Sequence, residues 1–291
     1  MHVAFLGTPE AAVPTLRALV EAGHDVDIVI TRPDRRRGRG SELSASPVKV
    51  AAQSLGLRVA HRLGDLESVS VDRGVVVAYG ALIPAAVLDR TPMLNVHFSL
   101  LPRWRGAAPV ERAILAGDAE TGVSVMTLEV ELDTGPVHLE RRVTIEEKTL
   151  TELLDELSVV GAKALVEVLA STSLLASASP QSGDVVYAAK LTKEDFHLTP
   201  SMMREQLLRT VRLGRAFTFV HGRRLLVEAA ARSSEVDVDV GQVTRRGNDV
   251  VLGAVGGTVA LLRVRPEGKG SMDAHAWWAG ARLDERSTMW G

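Results

Sequence analysis

MHVAFLGTPEAAVPTLRALVEAGHDVDIVIT, residues 1–31, decides the fold class. Residues 3–6 form a short apolar strand, and Gly7-Thr8-Pro9 turns the chain into a helix rich in Ala and Leu that ends near Gly23. Residues 26–31 supply a second strand. Strand, helix and strand make a βαβ unit, whose crossover sets the two strands parallel in one sheet. The expectation is an α/β protein with a doubly wound, Rossmann-like sheet that is rich in parallel strands. A dinucleotide-binding fold places Gly-x-Gly-x-x-Gly at this first turn; only Gly7 stands there, so nicotinamide binding is not expected.

The same alternation runs on. Residues 75–79 are a continuous apolar run with β-branched side chains, as a strand covered on both faces requires, and residues 80–83 form its exit. A helix is expected over 109–117, strands over 123–128 and 137–145, and a long helix over about 150–169. Residues 171–183, rich in Ser and Ala, read as a surface connection. The pattern then changes to a helix from Thr199-Pro200 to about Leu213 and short strands over 217–220, 224–229, 241–244, 250–252 and 259–263. A closing helix is expected over 271–281, with Trp277-Trp278 as its packing face. Strands of this length and spacing predict a small OB-like β-barrel. The expected division is a catalytic domain at 1–183, a linker at 184–199 and a barrel domain at 200–291, and the length suffices for two cores.

Within the first domain, LNVHFSLLPRWRGAAP at residues 94–109 carries the chemistry. Strand alternation puts Asn95 and His97 on one face, pointing together. A basic, Gly-containing loop follows, and Pro109 suits the first turn of a helix. Downstream, Leu132-Asp133-Thr134-Gly135 lies beyond the apolar run 123–128, where folding can bring Asp133 to His97. Taken singly, Asn95 reads equally as a turn residue, His97 as a half-buried histidine and Asp133 as a loop cap. Trp104, between Arg103 and Arg105, either engages a substrate or braces the loop.

Asn-x-His-x-Ser-Leu-Leu-Pro at 95–102, Arg-Trp-Arg-Gly-Ala-Ala-Pro at 103–109, Gly-Asp-Ala-Glu-Thr-Gly-Val at 117–123 and Leu-Asp-Thr-Gly at 132–135 occur in that order. Together they resemble the folate-dependent formyltransferase family. The resemblance implies formyl transfer from 10-formyltetrahydrofolate to an amine, with initiator methionyl-tRNA as the implied acceptor and a nucleotide-linked amino sugar or other small amine as the alternative. A non-catalytic folate- or RNA-binding relative is the remaining alternative. It implies Asn95, His97 and Asp133 as the catalytic residues, and a folate pocket bordered by Ala78, Tyr79, Ile83, Ser99, Leu100, Leu101 and Pro102. Such a reaction needs a donor for the tetrahedral oxyanion, which an Asn amide supplies, and a group that moves protons near neutral pH, which an imidazole supplies. It requires neither a metal nor a covalent nucleophile. Phe98 stands where relatives usually carry a small residue, and either narrows the folate site or points into the core.

The loop at 32–46, RPDRRRGRGSELSAS, matches the arm with which tRNA-formylating members grip the acceptor end. By that resemblance Arg37, Arg39, Lys49, Lys190 and Lys193 are the expected tRNA contacts. Net charge is −2, which by itself predicts no nucleic acid. Residues 185–291, however, hold 16 Lys plus Arg against 12 Asp plus Glu, while residues 1–184 are acidic. The chain has no cysteine, no long apolar stretch and no basic segment leading into an apolar run at its start, so a cytoplasmic protein is expected, and a monomer.

Overall fold

A computed structural model describes residues 1–36, 43–235, 238–283 and 288–291. The chain packs as two compact units, one from residues 1–110, 120–144 and 153–189, the other from residues 111–119, 145–152 and 190–291.

The opening βαβ unit forms as β1 (His2–Gly7), α1 (Val13–Glu21) and β2 (Asp25–Ile30), with β1 and β2 parallel. Ser46 caps α2 (Pro47–Ser54): its hydroxyl accepts from Lys49 N at 3.0 Å, and Pro47 occupies the first turn, where no N–H is needed. β3 (Val59–Ala60), β4 (Arg73–Val77) and β5 (Met93–His97) extend the parallel sheet. β6 (Glu120–Thr127) and β7 (Val137–Thr144) then add an antiparallel edge. The seven strands lie in the order β7-β6-β5-β4-β1-β2-β3. This is the parallel-rich, Rossmann-like sheet expected. The winding reverses between β1 and β4, so the carboxyl ends of these strands and of neighbouring β5 surround one crevice.

The helices after β5 are α3 (Pro109–Ala116) and α4 (Leu150–Ala170). α4 buries Leu153, Leu157, Ala164, Leu165 and Val168. It lies close to β5 because of Gly161: a Cβ there would stand 2.7 Å from Val96 Cγ1 and 3.5 Å from Phe98 Cε1. Val96 and Phe98 therefore occupy the α4-covered face. Phe98 is a core side chain, and Asn95 and His97 are left to the opposite face.

In the second unit, α5 (Arg204–Val211) is shorter than expected. Met203 instead bridges to Val255 in an extended conformation, and Arg204 N donates to Val255 O at 2.8 Å, so the helix begins only at Arg204. β8 (Phe217–Val220), β9 (Arg223–Arg232), β10 (Val243–Arg246), β11 (Asp249–Ala254) and β12 (Gly257–Pro266) form an antiparallel sheet in the order β8-β9-β12-β11-β10. Its two edges are tied by the last residues of the chain. Trp290 N donates to Gly241 O at 2.9 Å and Gly291 N to Phe219 O at 2.9 Å, and bridges join Val220 to Trp290 and Gln242 to Met289. An open sheet is thus curled into the small barrel expected, with no bare edge at these positions. α6 (Ala274–Ala281) covers it through buried Trp277 and Trp278, a packing face as expected.

Two measurements follow from this packing. Gly161→Val forces a branched side chain against Val96, and is expected to lower stability by about 2 kcal/mol in denaturant unfolding, helix propensity notwithstanding. In the second unit Arg112 Nη1 lies 2.8 Å from Asp195 Oδ1. Partial burial opposes the charge on Asp195, but the Thr192 N–H and the Arg112 guanidinium prevail and hold its carboxyl below its usual range. A depressed carboxyl stabilises above the unfolded pKa and ceases to do so as pH falls through the folded one. Asp195→Asn should therefore cost about 1 kcal/mol at pH 7, and the difference from the parent should shrink below about pH 4.

Candidate active site

β5 delivers Asn95 and His97 to the carboxyl edge of the sheet, and the loop between β6 and β7 brings Asp133 to them. Asn95 Nδ2 stands 3.5 Å from Asp133 Oδ1, and His97 Nδ1 stands 3.7 Å from Asp133 Oδ2. All three are buried, at 8%, 6% and 6% exposure. The tautomer of His97 follows from its other contact. Nε2 lies 2.9 Å from the Trp104 carbonyl, which only accepts, so Nε2 carries hydrogen. Neutral His97 then turns the Nδ1 lone pair toward Asp133. A proton on Nδ1 would convert this contact into a charge-assisted pair. Asp133 Oδ2 is fixed independently by the backbone, accepting from Gly106 N at 2.8 Å.

The loop after β5 is held by hydroxyls and main chain. Ser99 Oγ donates to Arg103 O at 2.6 Å. Ser124 Oγ donates to Ser99 O at 2.8 Å and accepts from Leu101 N at 3.2 Å, so one hydroxyl spans the turn that contains the cis Leu101–Pro102 bond. Trp104 adopts φ 64°, which turns its carbonyl to His97, and the Arg103 guanidinium lies 4.5 Å from the centre of its ring. In this geometry Trp104 braces the loop.

Residues 105–106 pair in parallel with residues 187–188, and Arg105 N donates to Val186 O at 2.9 Å. Gln181 reaches the same place: its Nε2 donates to Asp133 O and to Gly135 O, each at 2.8 Å, and its Oε1 accepts from Arg105. Sequence reading treated 171–183 as a surface connection and missed Gln181. Its only sequence signal is a lone amide in a Ser- and Ala-rich stretch.

The other expected residues fall as follows. Tyr79 and Ile83 are buried in a cluster with Leu6, Ile30, Val76 and Met93 beneath the crevice. Burial pushes the Tyr79 hydroxyl pKa up, against the opposing field of Arg32. Ala78 is exposed, with φ 45°. Ser99, Leu101 and Pro102 are buried, and half-buried Leu100 packs over Gly122. Among the expected tRNA contacts, Arg37 and Arg39 lie outside the described residues. Lys49 Nζ pairs with Asp34 Oδ2 at 2.7 Å, at the root of that loop. Lys190 and Lys193 are exposed residues of the second unit, and Lys193 Nζ lies 5.6 Å from the Phe217 ring centre.

A buried amide, imidazole and carboxyl at the carboxyl edge of a doubly wound sheet are the groups that can stabilise an oxyanion and move a proton, as group transfer to an amine requires. Comparison with known proteins gives the family. Residues 1–169 match the formyl transferase family and residues 190–282 the formyl transferase C-terminal domain, and the chain belongs to this family. Methionyl-tRNA formyltransferase of Jannaschia sp. (strain CCS1) is 41% identical over 299 residues, covering 97% of this chain and 98% of that protein. The protein of the same name from Thiobacillus denitrificans is 40% identical, with 97% of each covered. Among solved structures, HypX from Aquifex aeolicus in complex with tetrahydrofolic acid superposes with a TM-score of 0.68 at 18% identity, over 95% of this chain and 46% of that one. WlaRD, a sugar 3N-formyl transferase, gives 0.69 at 14% identity, over 93% and 99%. These two likenesses concern the fold.

Ser124→Ala removes the hydroxyl from two buried main-chain groups at once. Stability is expected to fall by about 1–3 kcal/mol, read from the shift of the denaturation midpoint.

Proposed function

We propose that this protein transfers the formyl group of 10-formyltetrahydrofolate to the free amino group of initiator methionyl-tRNA, as the names of its full-length relatives indicate. The observation that carries the chemistry is the buried convergence of Asn95, His97 and Asp133. The amine nitrogen forms a bond to the formyl carbon, the carbon–N10 bond breaks, and one proton passes from the amine to N10. The Asn95 amide donates to the oxygen that becomes negative in between. Its second N–H is available for this while the first faces Asp133. The amine proton passes to Asp133 or to the Nδ1 lone pair of His97, and from that side of the site on to the departing N10, while the Nε2 hydrogen stays bonded to the Trp104 carbonyl. The Trp104 carbonyl and the Gly106 N–H keep these two side chains oriented throughout.

The residues at the crevice suit a flat folate ring. Ala78 and Leu82 are exposed above buried Tyr79 and Ile83, which offers an apolar shelf, and residues 99–102 supply the facing wall. In this reading residues 1–183 perform catalysis, 184–199 connect, and 200–291 help to hold tRNA, with Arg37, Arg39, Lys49, Lys190 and Lys193 on the acceptor end. Lys49 acts there by fixing the base of the loop through Asp34. No helix among the described residues is long and apolar enough to cross a membrane. A monomer in the cytoplasm, where translation initiates, suits the proposed acceptor.

The test is formylation of initiator methionyl-tRNA by the purified protein with 10-formyltetrahydrofolate. Asn95→Ala should lower kcat by about 10²–10³. Turnover of an amino-sugar nucleotide in place of methionyl-tRNA would reassign the acceptor.

A further inference from the structure

Gln181 uses every hydrogen-bonding position of its side chain. Both Nε2 hydrogens are donated, to Asp133 O and Gly135 O at 2.8 Å each, and Oε1 accepts from Arg105 Nε at 3.0 Å and Nη2 at 2.6 Å. An amide rotated by half a turn would set N–H against guanidinium and oxygen against two carbonyls, so the orientation is determined. Its partners belong to the two loops that make the site. Asp133 follows four exposed residues, 129–132, and adopts φ 54°, a left-handed conformation that costs a non-glycine residue energy. Its own carbonyl is anchored by Gln181. Arg105 sits between Trp104, whose carbonyl orients His97, and Gly106, whose N–H orients Asp133.

We propose that Gln181 is a positioning residue for the transfer step: it locks the Asp133 loop to the 103–106 loop and so sets the approach of Asp133 to His97. The inference rests on the catalytic reading of Asp133 given above. It requires Gln181 to touch no substrate. Its loss should act on turnover and leave binding of the folate donor as it was, because neither the shelf at 78–83 nor the wall at 99–102, which Ser124 holds, takes a hydrogen bond from Gln181.

The experiment is steady-state kinetics with both substrates on the full-length protein and three variants, each checked by thermal melting. Asp133→Asn tests the underlying reading, and a variant with parental kcat would overturn that reading. Gln181→Ala should lower kcat by about 10- to 100-fold, the scale of a displacement of reacting groups by an ångström or less, with KM for the folate donor unchanged. Gln181→Glu separates the two halves of the lock and guards against an Ala variant that fails to fold. It keeps a partner for Arg105 yet turns acceptor oxygens toward the Asp133 and Gly135 carbonyls, so kcat should fall here too. Parental kcat in Gln181→Ala, or in Gln181→Glu, alongside an inactive Asp133→Asn overturns the positioning role and leaves the site reading standing. A fall in kcat for both Gln181 variants with unchanged KM supports it.

Discussion

Asp133 is a carboxyl group with 6% of its surface exposed, and the loops around it are arranged to satisfy it. A buried carboxyl without partners is costly. The solution divides the work. One oxygen takes a backbone N–H from Gly106, a donor that never titrates, and the same oxygen faces the imidazole of His97. The other faces the Asn95 amide at the long distance of 3.5 Å, which leaves that amide loosely held and ready for a second acceptor.

That arrangement is possible because alternation along β5 puts Asn95 and His97 on one face at its carboxyl end and Leu94, Val96 and Phe98 on the other. Val96 and Phe98 fill the α4 side, and the missing side chain of Gly161 lets the helix approach closely enough to cover them. The bulk of Phe98 is therefore irrelevant to the crevice. It adds to the core, and the strand end that carries Asn95 and His97 is held from behind by packing and from the front by hydrogen bonds. Positioning to a fraction of an ångström depends on both.

Much of this was legible in the sequence because it is periodic or local. The βαβ opening, the two-residue spacing of Asn95 and His97, and the short strands of the second unit each appear as a pattern within a few residues. One boundary moved because a long-range pairing intervened: Val255 holds Met203 extended and α5 begins only at Arg204. The side of the sheet on which Phe98 lies was legible in principle, since alternation from His97 puts it opposite. What could not be read was anything carried by main-chain atoms of distant segments. The Trp104 carbonyl and the Gly106 N–H have no side-chain signature, and Gln181 lies 48 residues beyond Asp133 in a stretch with neither periodicity nor charge.

The position of Gln181 also changes how the end of the first unit should be understood. A connection rich in Ser and Ala would ordinarily be a passive tether, exposed and tolerant of change. Here it returns across the site before continuing: Ser179 pairs with Val137 beside β7, Gln181 spans two loops, and residues 186–188 hydrogen-bond to residues 102–108. Each of these contacts is weak alone, about 1 kcal/mol as a net contribution. Together they constrain the loop that carries Trp104 and Gly106 from the side that the sheet does not reach. A loop with one anchored flank can rock about it; a loop paired along a second strand cannot without breaking several bonds at once. The geometry of His97 and Asp133 therefore depends on a segment that supplies none of the three converging side chains, and the chain completes this site only after residue 188 has been placed.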